Sequence, residues 1–179
     1  MIDEGADIID IGAESTRPGA DEVSAEIQIE RIVPVLKELI KMYPDMSFSV
    51  DTRSHLVAKE VLSLSKNVII NDVSGLCFDE KMLDVIVDNR AKIVVCHSSS
   101  IPKDMQNHTD YKNIVEDIYK FFVEKIELLT SKGLQKENII LDLGFGFGKT
   151  VEQNFELIKK SDEFLTLGCR MLAGISRKS

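Results

Sequence analysis

Tryptophan is absent from the 179 residues, and cysteine and proline are scarce, with 3 and 4 copies. The cysteines, Cys77, Cys96 and Cys169, lie far apart, with no paired CxxC spacing. That excludes a disulfide framework and the usual zinc modules, and each thiol is expected to be a small buried apolar residue. A reducing cytoplasm is the simpler expected location. Long apolar runs are also missing. The longest pure ones, such as Ile93-Val94-Val95-Cys96, fall far below the roughly 18 residues that span a bilayer. The start, Met1-Ile2-Asp3-Glu4, is acidic and leads into no apolar stretch, so it does not read as a signal peptide. Positive charge is in deficit, with 22 Lys and Arg against 30 Asp and Glu and a net charge of −8. Without a basic cluster, neither nucleic acid nor an anionic membrane is an expected partner. No low-complexity stretch or linker divides the chain, so residues 1–179 are expected to form one domain.

What is present is an ordinary globular composition, 44% hydrophobic and 29% charged, arranged as alternating strand-like and helix-like segments. Strands are expected at residues 6–12, 46–51, 67–73, 92–97, 138–142 and 170–175. Helices are expected at 23–42, 55–64, 80–88, 113–131 and 152–160. Pro34 is a weak point in the first helix, because an interior proline removes a hydrogen bond and kinks the helix. Gly133 should stop the long helix before it. Strands joined by helices must pair in parallel, and their near-continuous apolar runs suit a sheet covered on both faces. The class is therefore α/β with a parallel sheet. An eight-unit barrel takes roughly 200 residues or more, so the chain is short for one.

Polar residues collect at the strand ends: Asp10, Asp51, Asn71-Asp72, His97 with three serines, Asp142, and Ser176-Arg177-Lys178-Ser179. One such residue is usually a helix cap, but six in register point to a ligand-binding rim. Gly144-Phe145-Gly146-Phe147-Gly148-Lys149-Thr150 fails the phosphate-loop template, since only three residues separate Gly144 from Gly148. Its two phenylalanines suggest an aromatic ring laid over a flat ligand. Thr16-Arg17 before Pro18-Gly19 offers donors for an anion.

Several stretches together resemble the dihydropteroate synthase family: Ile8-Ile9-Asp10-Ile11-Gly12-Ala13-Glu14-Ser15-Thr16-Arg17-Pro18-Gly19-Ala20, Ser49-Val50-Asp51-Thr52, Ile70-Asn71-Asp72-Val73-Ser74-Gly75, Pro102-Lys103-Asp104-Met105-Gln106, residues 144–150 and residues 176–179. They follow in the family's order across the chain. The resemblance implies a parallel (β/α)8 TIM barrel, of which this chain holds about strands 2 to 7, truncated at both ends. It also implies that residues 1–179 alone would be inactive. The implied reaction joins 6-hydroxymethyl-7,8-dihydropterin pyrophosphate to 4-aminobenzoate, giving 7,8-dihydropteroate and pyrophosphate in folate biosynthesis. Sulfonamides compete for the aminobenzoate place.

By the same resemblance, Asp10, Asp51, Asn71, Asp142 and Lys178 would bind the pterin, and Thr16 and Arg17 the pyrophosphate. Pro18, Phe147 and Ser179 would border the aminobenzoate. Lys178, Asp142 and Arg17 would carry the catalysis. Mg²⁺ is the implied cofactor, with its asparagine ligand outside this chain and no metal ligand within it, and the implied assembly is a homodimer. Ala13, Leu143 and Ser98 depart from the family pattern, which has Gly, Pro and Met there. Methyltetrahydrofolate-binding barrels of corrinoid methyltransferases are the alternative, but the Glu14 to Gly19 loop and the Ser-Arg-Lys-Ser end favour the synthase.

Overall fold

The computed structural model describes residues 1–15, 21–98 and 111–175. Six strands alternate with five α-helices: β1 (Ile8–Gly12), α1 (Ala25–Met42), β2 (Ser47–Asp51), α2 (His55–Leu62), β3 (Val68–Asp72), α3 (Met82–Asn89), β4 (Lys92–Cys96), α4 (Ile114–Ser131), β5 (Ile139–Asp142), α5 (Val151–Lys159) and β6 (Arg170–Leu172). The strands lie in sequential order, each parallel to the next, in a curled half-barrel. Every expected element is present, with most ends shifted by one to three residues. A 3-10 segment at Ser161–Leu167 has no counterpart in the sequence reading. Its short repeat gives no helical period to detect.

Strand parity decides what each face carries, because successive side chains point to opposite sides. One face presents Phe48, Val50, Val68, Ile70, Ile93, Val95, Ile139 and Leu141 to the helices, all of them buried in one core cluster. The helices answer with Ile32 and Leu36 from α1, Val57 and Val61 from α2, and Ile118, Phe122 and Leu129 from α4. Burying each such side chain contributes roughly 1.5–3 kcal/mol. The opposite face is not simply apolar. It carries Asp10, Ser49, Asp51, Asn71, Lys92, Asp142 and Arg170 alongside Val94 and Cys96. The expectation of two equally covered faces is therefore corrected. One face makes the core, and the other is the concave interior.

α1 runs unbroken through Pro34. Pro34 and Glu30, whose carbonyl lacks the usual i+4 donor, are both on the exposed side, where water can satisfy that oxygen. Ile32 and Leu36, fully buried on either side of it, hold the flanking turns to the core. α4 begins at Asn113, whose side chain accepts the Glu116 N–H at 3.2 Å. It stops as expected at Gly133, with φ +96. The Leu134 N–H reaches the Leu129 carbonyl at 3.1 Å and the Gly133 N–H reaches that of Thr130 at 2.9 Å, closing a Schellman motif. Leu129 and Leu134 are both buried beside it. Cys96 and Cys169 are buried as expected, whereas Cys77 is exposed and accepts a bond from Lys125 Nζ at 3.3 Å. No helix of the described residues is long and apolar enough to cross a membrane.

Candidate active site

The polar concave face gathers at the carboxyl ends of the strands. Asp51 and Asn71 are register partners across β2 and β3. Asp10 pairs in register with Ser49, two residues before Asp51, and so shares its face. Asp142 pairs with Cys96, two residues beyond Val94, which is the register partner of Asn71. All four proposed pterin residues on described strands therefore point into one concavity. Asn71 Nδ2 donates to Asp10 Oδ2 at 3.4 Å, while Asn71 Oδ1 is buried without a hydrogen-bond partner among the described residues. Asp142 is steadied by the Gly144 N–H, which donates to its Oδ1 at 2.9 Å.

The concavity is acidic, and one carboxyl shows it. Burial, then the neighbouring charges of Asp10, Asp72 and Glu14, push the Asp51 pKa up to about 7. Such a group offers either an O–H or a carboxylate near neutrality. Asp72, next to Asn71 in sequence, faces the other way and is 1% exposed. It accepts from Ser74 N, Ser74 Oγ and Leu76 N at 2.9, 2.6 and 2.9 Å, pinning the turn after β3. Burial raises its pKa, against those bonds. The Asn71-Asp72 pair is thus divided between a binding face and a structural one.

His97 does not join the concavity. It follows inward-facing Cys96 and packs edge-on to Phe121 at 4.9 Å between ring centroids. Burial, with the nearby Lys149 ammonium, lowers its pKa to about 3, so the imidazole is neutral. The two phenylalanines of the glycine-rich loop also part company. Phe145 is 5% exposed and belongs to the core, while Phe147 is half-buried. Thr150 caps α5 in a capping box with Gln153 rather than meeting a phosphate. Thr16, Arg17, Pro18, Lys178 and Ser179, and the motif at 102–106, lie outside the described residues.

Two features escaped the sequence reading. Glu14 and Arg53 form a buried, two-pronged ion pair, with Nε and Nη2 both 3.2 Å from the Glu14 carboxylate. Arg53 Nη2 also reaches Glu22 at 3.1 Å, and its guanidinium lies 3.9 Å over the Phe78 ring. Glu14 Oε1 accepts the Val23 N–H at 3.1 Å, so the exit from β1 and the approach to α1 are tied together. The other is Lys149, a buried lysine whose Nζ donates to the Gly144 carbonyl at 2.8 Å. Two of the three departures from the family pattern, Ala13 and Leu143, are accommodated. Ala13 is not among the described residues with positive φ, so it needs no glycine there. Leu143 is 1% exposed and fills the core. Among the described residues no group of three or more His, Cys, Asp or Glu could hold a metal ion.

The pterin binding enzyme family model matches residues 1–179. The chain belongs to the pterin binding enzyme family. It is 40% identical to the dihydropteroate synthase of Haemophilus influenzae over 179 residues, covering all of this chain and 64% of that protein. Among solved structures it resembles dihydropteroate synthase from Clostridium difficile in the presence of pteroic acid, with 42% identity and a TM-score of 0.89. That match covers 99% of this chain and 64% of the other. It also resembles the Yersinia pestis dihydropteroate synthase in a sulfonamide drug complex, at 36% identity and a TM-score of 0.93, over 99% of this chain and 63% of that one. The chain thus spans less than two thirds of these relatives. The half-barrel of this chain matches part of the TIM barrel of those synthases, as the resemblance implied.

Proposed function

We propose that this chain is the pterin-recognising part of a dihydropteroate synthase, one pterin-binding domain over residues 1–179. The observation that carries the reading is the set of Asp10, Asp51, Asn71 and Asp142 on one concave face, with Asn71 Oδ1 buried and unpartnered among the described residues. A pterin edge presents a 2-amino group beside a ring N–H, two parallel donors that suit the Asp142 carboxylate. Asn71 Oδ1 takes a further ring donor. Asp51, poised near neutrality, serves a ring nitrogen as donor or acceptor. Lys178 holds the pterin carbonyl. Thr16 and Arg17 bind the pyrophosphate, and Pro18, Phe147 and Ser179 border 4-aminobenzoate.

In the proposed reaction the bond from the pterin methylene to the pyrophosphate oxygen breaks, and pyrophosphate leaves with the electron pair. The resulting cation spreads into the pterin ring, beside carboxylates that tolerate it. The arylamine nitrogen then bonds to the methylene carbon and loses one proton. Catalysis is chiefly positioning and electrostatics, with Arg17 steadying the leaving group. No step is assigned to Mg²⁺, whose proposed place is with the pyrophosphate.

The cytoplasm as location and a homodimer as assembly belong to the same proposal. The exposed apolar residues Val151, Phe155 and Ile158 along one side of α5 support the dimer. The test is dihydropteroate formation by the protein that carries this chain, with and without Asp142→Asn. Loss of pterin affinity and turnover is expected, and an unimpaired variant removes Asp142 from its role. Calorimetric preference for methyltetrahydrofolate over the pterin pyrophosphate overturns the synthase reading.

A further inference from the structure

We infer that Lys149 is a positioning residue, whose buried ammonium ties the end of β4 to the loop after β5 and so fixes where Asp142 and Phe147 stand. Its site of action rests on the proposed function, but its geometry does not. Lys149 is 6% exposed. Its Nζ donates to the carbonyls of His97, Gly144 and Phe147 at 3.1, 2.8 and 3.0 Å. An ammonium has three protons, and here three convergent carbonyls take them. The phosphate-loop reading of Gly148-Lys149-Thr150 therefore fails on geometry as well as on spacing.

The three carbonyls belong to residues that matter. Gly144 donates its N–H to Asp142 Oδ1, and its carbonyl accepts both Lys149 and the Phe147 N–H, the latter at 3.0 Å. The Asp142 side chain, the loop turn and the Phe147 backbone are thus one hydrogen-bonded unit centred on Gly144. Gly144 has φ +65, and a Cβ there would overlap the His97 carbonyl oxygen, so the loop lies directly against the β4 exit. Two backbones that close, with carbonyls converging, repel unless a cation sits between them. Asn154 supports the far side, accepting the Gly146 N–H at 3.0 Å and donating to the Thr150 carbonyl at 2.8 Å. Lys149 supplies the side facing β4, which Asn154 does not reach.

The test compares wild type with Lys149→Met and Lys149→Arg in the protein that carries this chain. Hydrogen exchange over residues 143–148 should accelerate about tenfold or more in Lys149→Met, the loss of buried charge-assisted bonds setting the scale. Lys149→Arg keeps the charge but spreads its donors in a plane, and should fall between the two. In turnover, the KM for 4-aminobenzoate should rise about tenfold while kcat changes less. A purely structural lysine would lower the melting temperature and leave both KM values unchanged below it. Unchanged exchange in a folded Lys149→Met, or an unchanged aminobenzoate KM, overturns the inference. Should Lys149→Met not fold, the Lys149→Arg comparison decides by the same two readouts. A wild type that forms no dihydropteroate refutes the proposed function instead, and the exchange comparison still decides the role of Lys149.

Discussion

Replacing Asp51 by asparagine should stabilise the protein at alkaline pH and weaken its pterin site at once. In the folded chain the Asp51 carboxyl titrates near 7, against an ordinary 3.8, because burial and then the nearby charges of Asp10, Asp72 and Glu14 disfavour the carboxylate. Below about pH 4 folded and unfolded chains both hold its proton, and no penalty exists. Between about 4 and 7 the unfolded chain releases that proton while the folded chain keeps it, so stability falls as pH rises. Above 7 the folded state bears a buried carboxylate, and the accumulated cost has a ceiling of about 4 kcal/mol. Asp51→Asn removes the charge at nearly constant shape. Urea unfolding of the two proteins should give equal stabilities near pH 4. At pH 8 the variant should be ahead by up to about 4 kcal/mol. A carbon-13 titration of the wild-type Asp51 carboxyl should show its midpoint near 7. A stability difference independent of pH, or a midpoint in the ordinary carboxylate range, would refute the reasoning. The same variant should bind 6-hydroxymethylpterin more weakly, the exchange of stability for function common at binding sites.

Arg53→Gln should cost about 3–5 kcal/mol in urea unfolding, because it leaves the nearly buried Glu14 without its partner. Adding Glu14→Gln should recover part of that loss, and a single-variant cost below about 1 kcal/mol would mean that the pair behaves as a surface one. Arg90 ends α3 at φ +49, a left-handed position for a side chain that gains nothing from it. Arg90→Gly should therefore stabilise by about 0.5–1 kcal/mol, read as a higher melting temperature, and a lower one would show the strain to be absent.

The elements were legible because each strand is a compact apolar run and each helix carries its own period, as with Ile118, Phe122 and Leu129 in α4. The concave cluster was legible for a related reason. Asp51 and Asp142 close their strands, Asn71 stands one residue before the end of its strand and Asp10, expected at the end of β1, stands two before, and parallel strands in order bring these positions to one rim. What stayed hidden involves partners that leave no pattern in a linear reading. Lys149 binds backbone carbonyls, which every residue has, so nothing in the composition marks His97 or Gly144 as its acceptors. Arg53 meets Glu14 across 39 residues, and only the β1–β2 pairing makes them neighbours. Phe145 and Phe147 look alike in the chain, and the turn at Gly146, with φ +79 between them, sends only one of them into the core.

The order of the sheet has a consequence for how the chain is made. Among the described strands each pairs with the one before it, so none of these six waits for a distant partner within the sheet. As synthesis proceeds, Ser47–Asp51 finds Ile8–Gly12 already present, and Val68–Asp72 then finds Ser47–Asp51. The longest wait is that of Lys92–Cys96 for Ile139–Asp142, the interval in which α4 emerges to cover the core face of the new edge. Sequence-local pairing of this kind keeps loop-closure costs small and lets the sheet grow from its amino-terminal side while the ribosome is still at work.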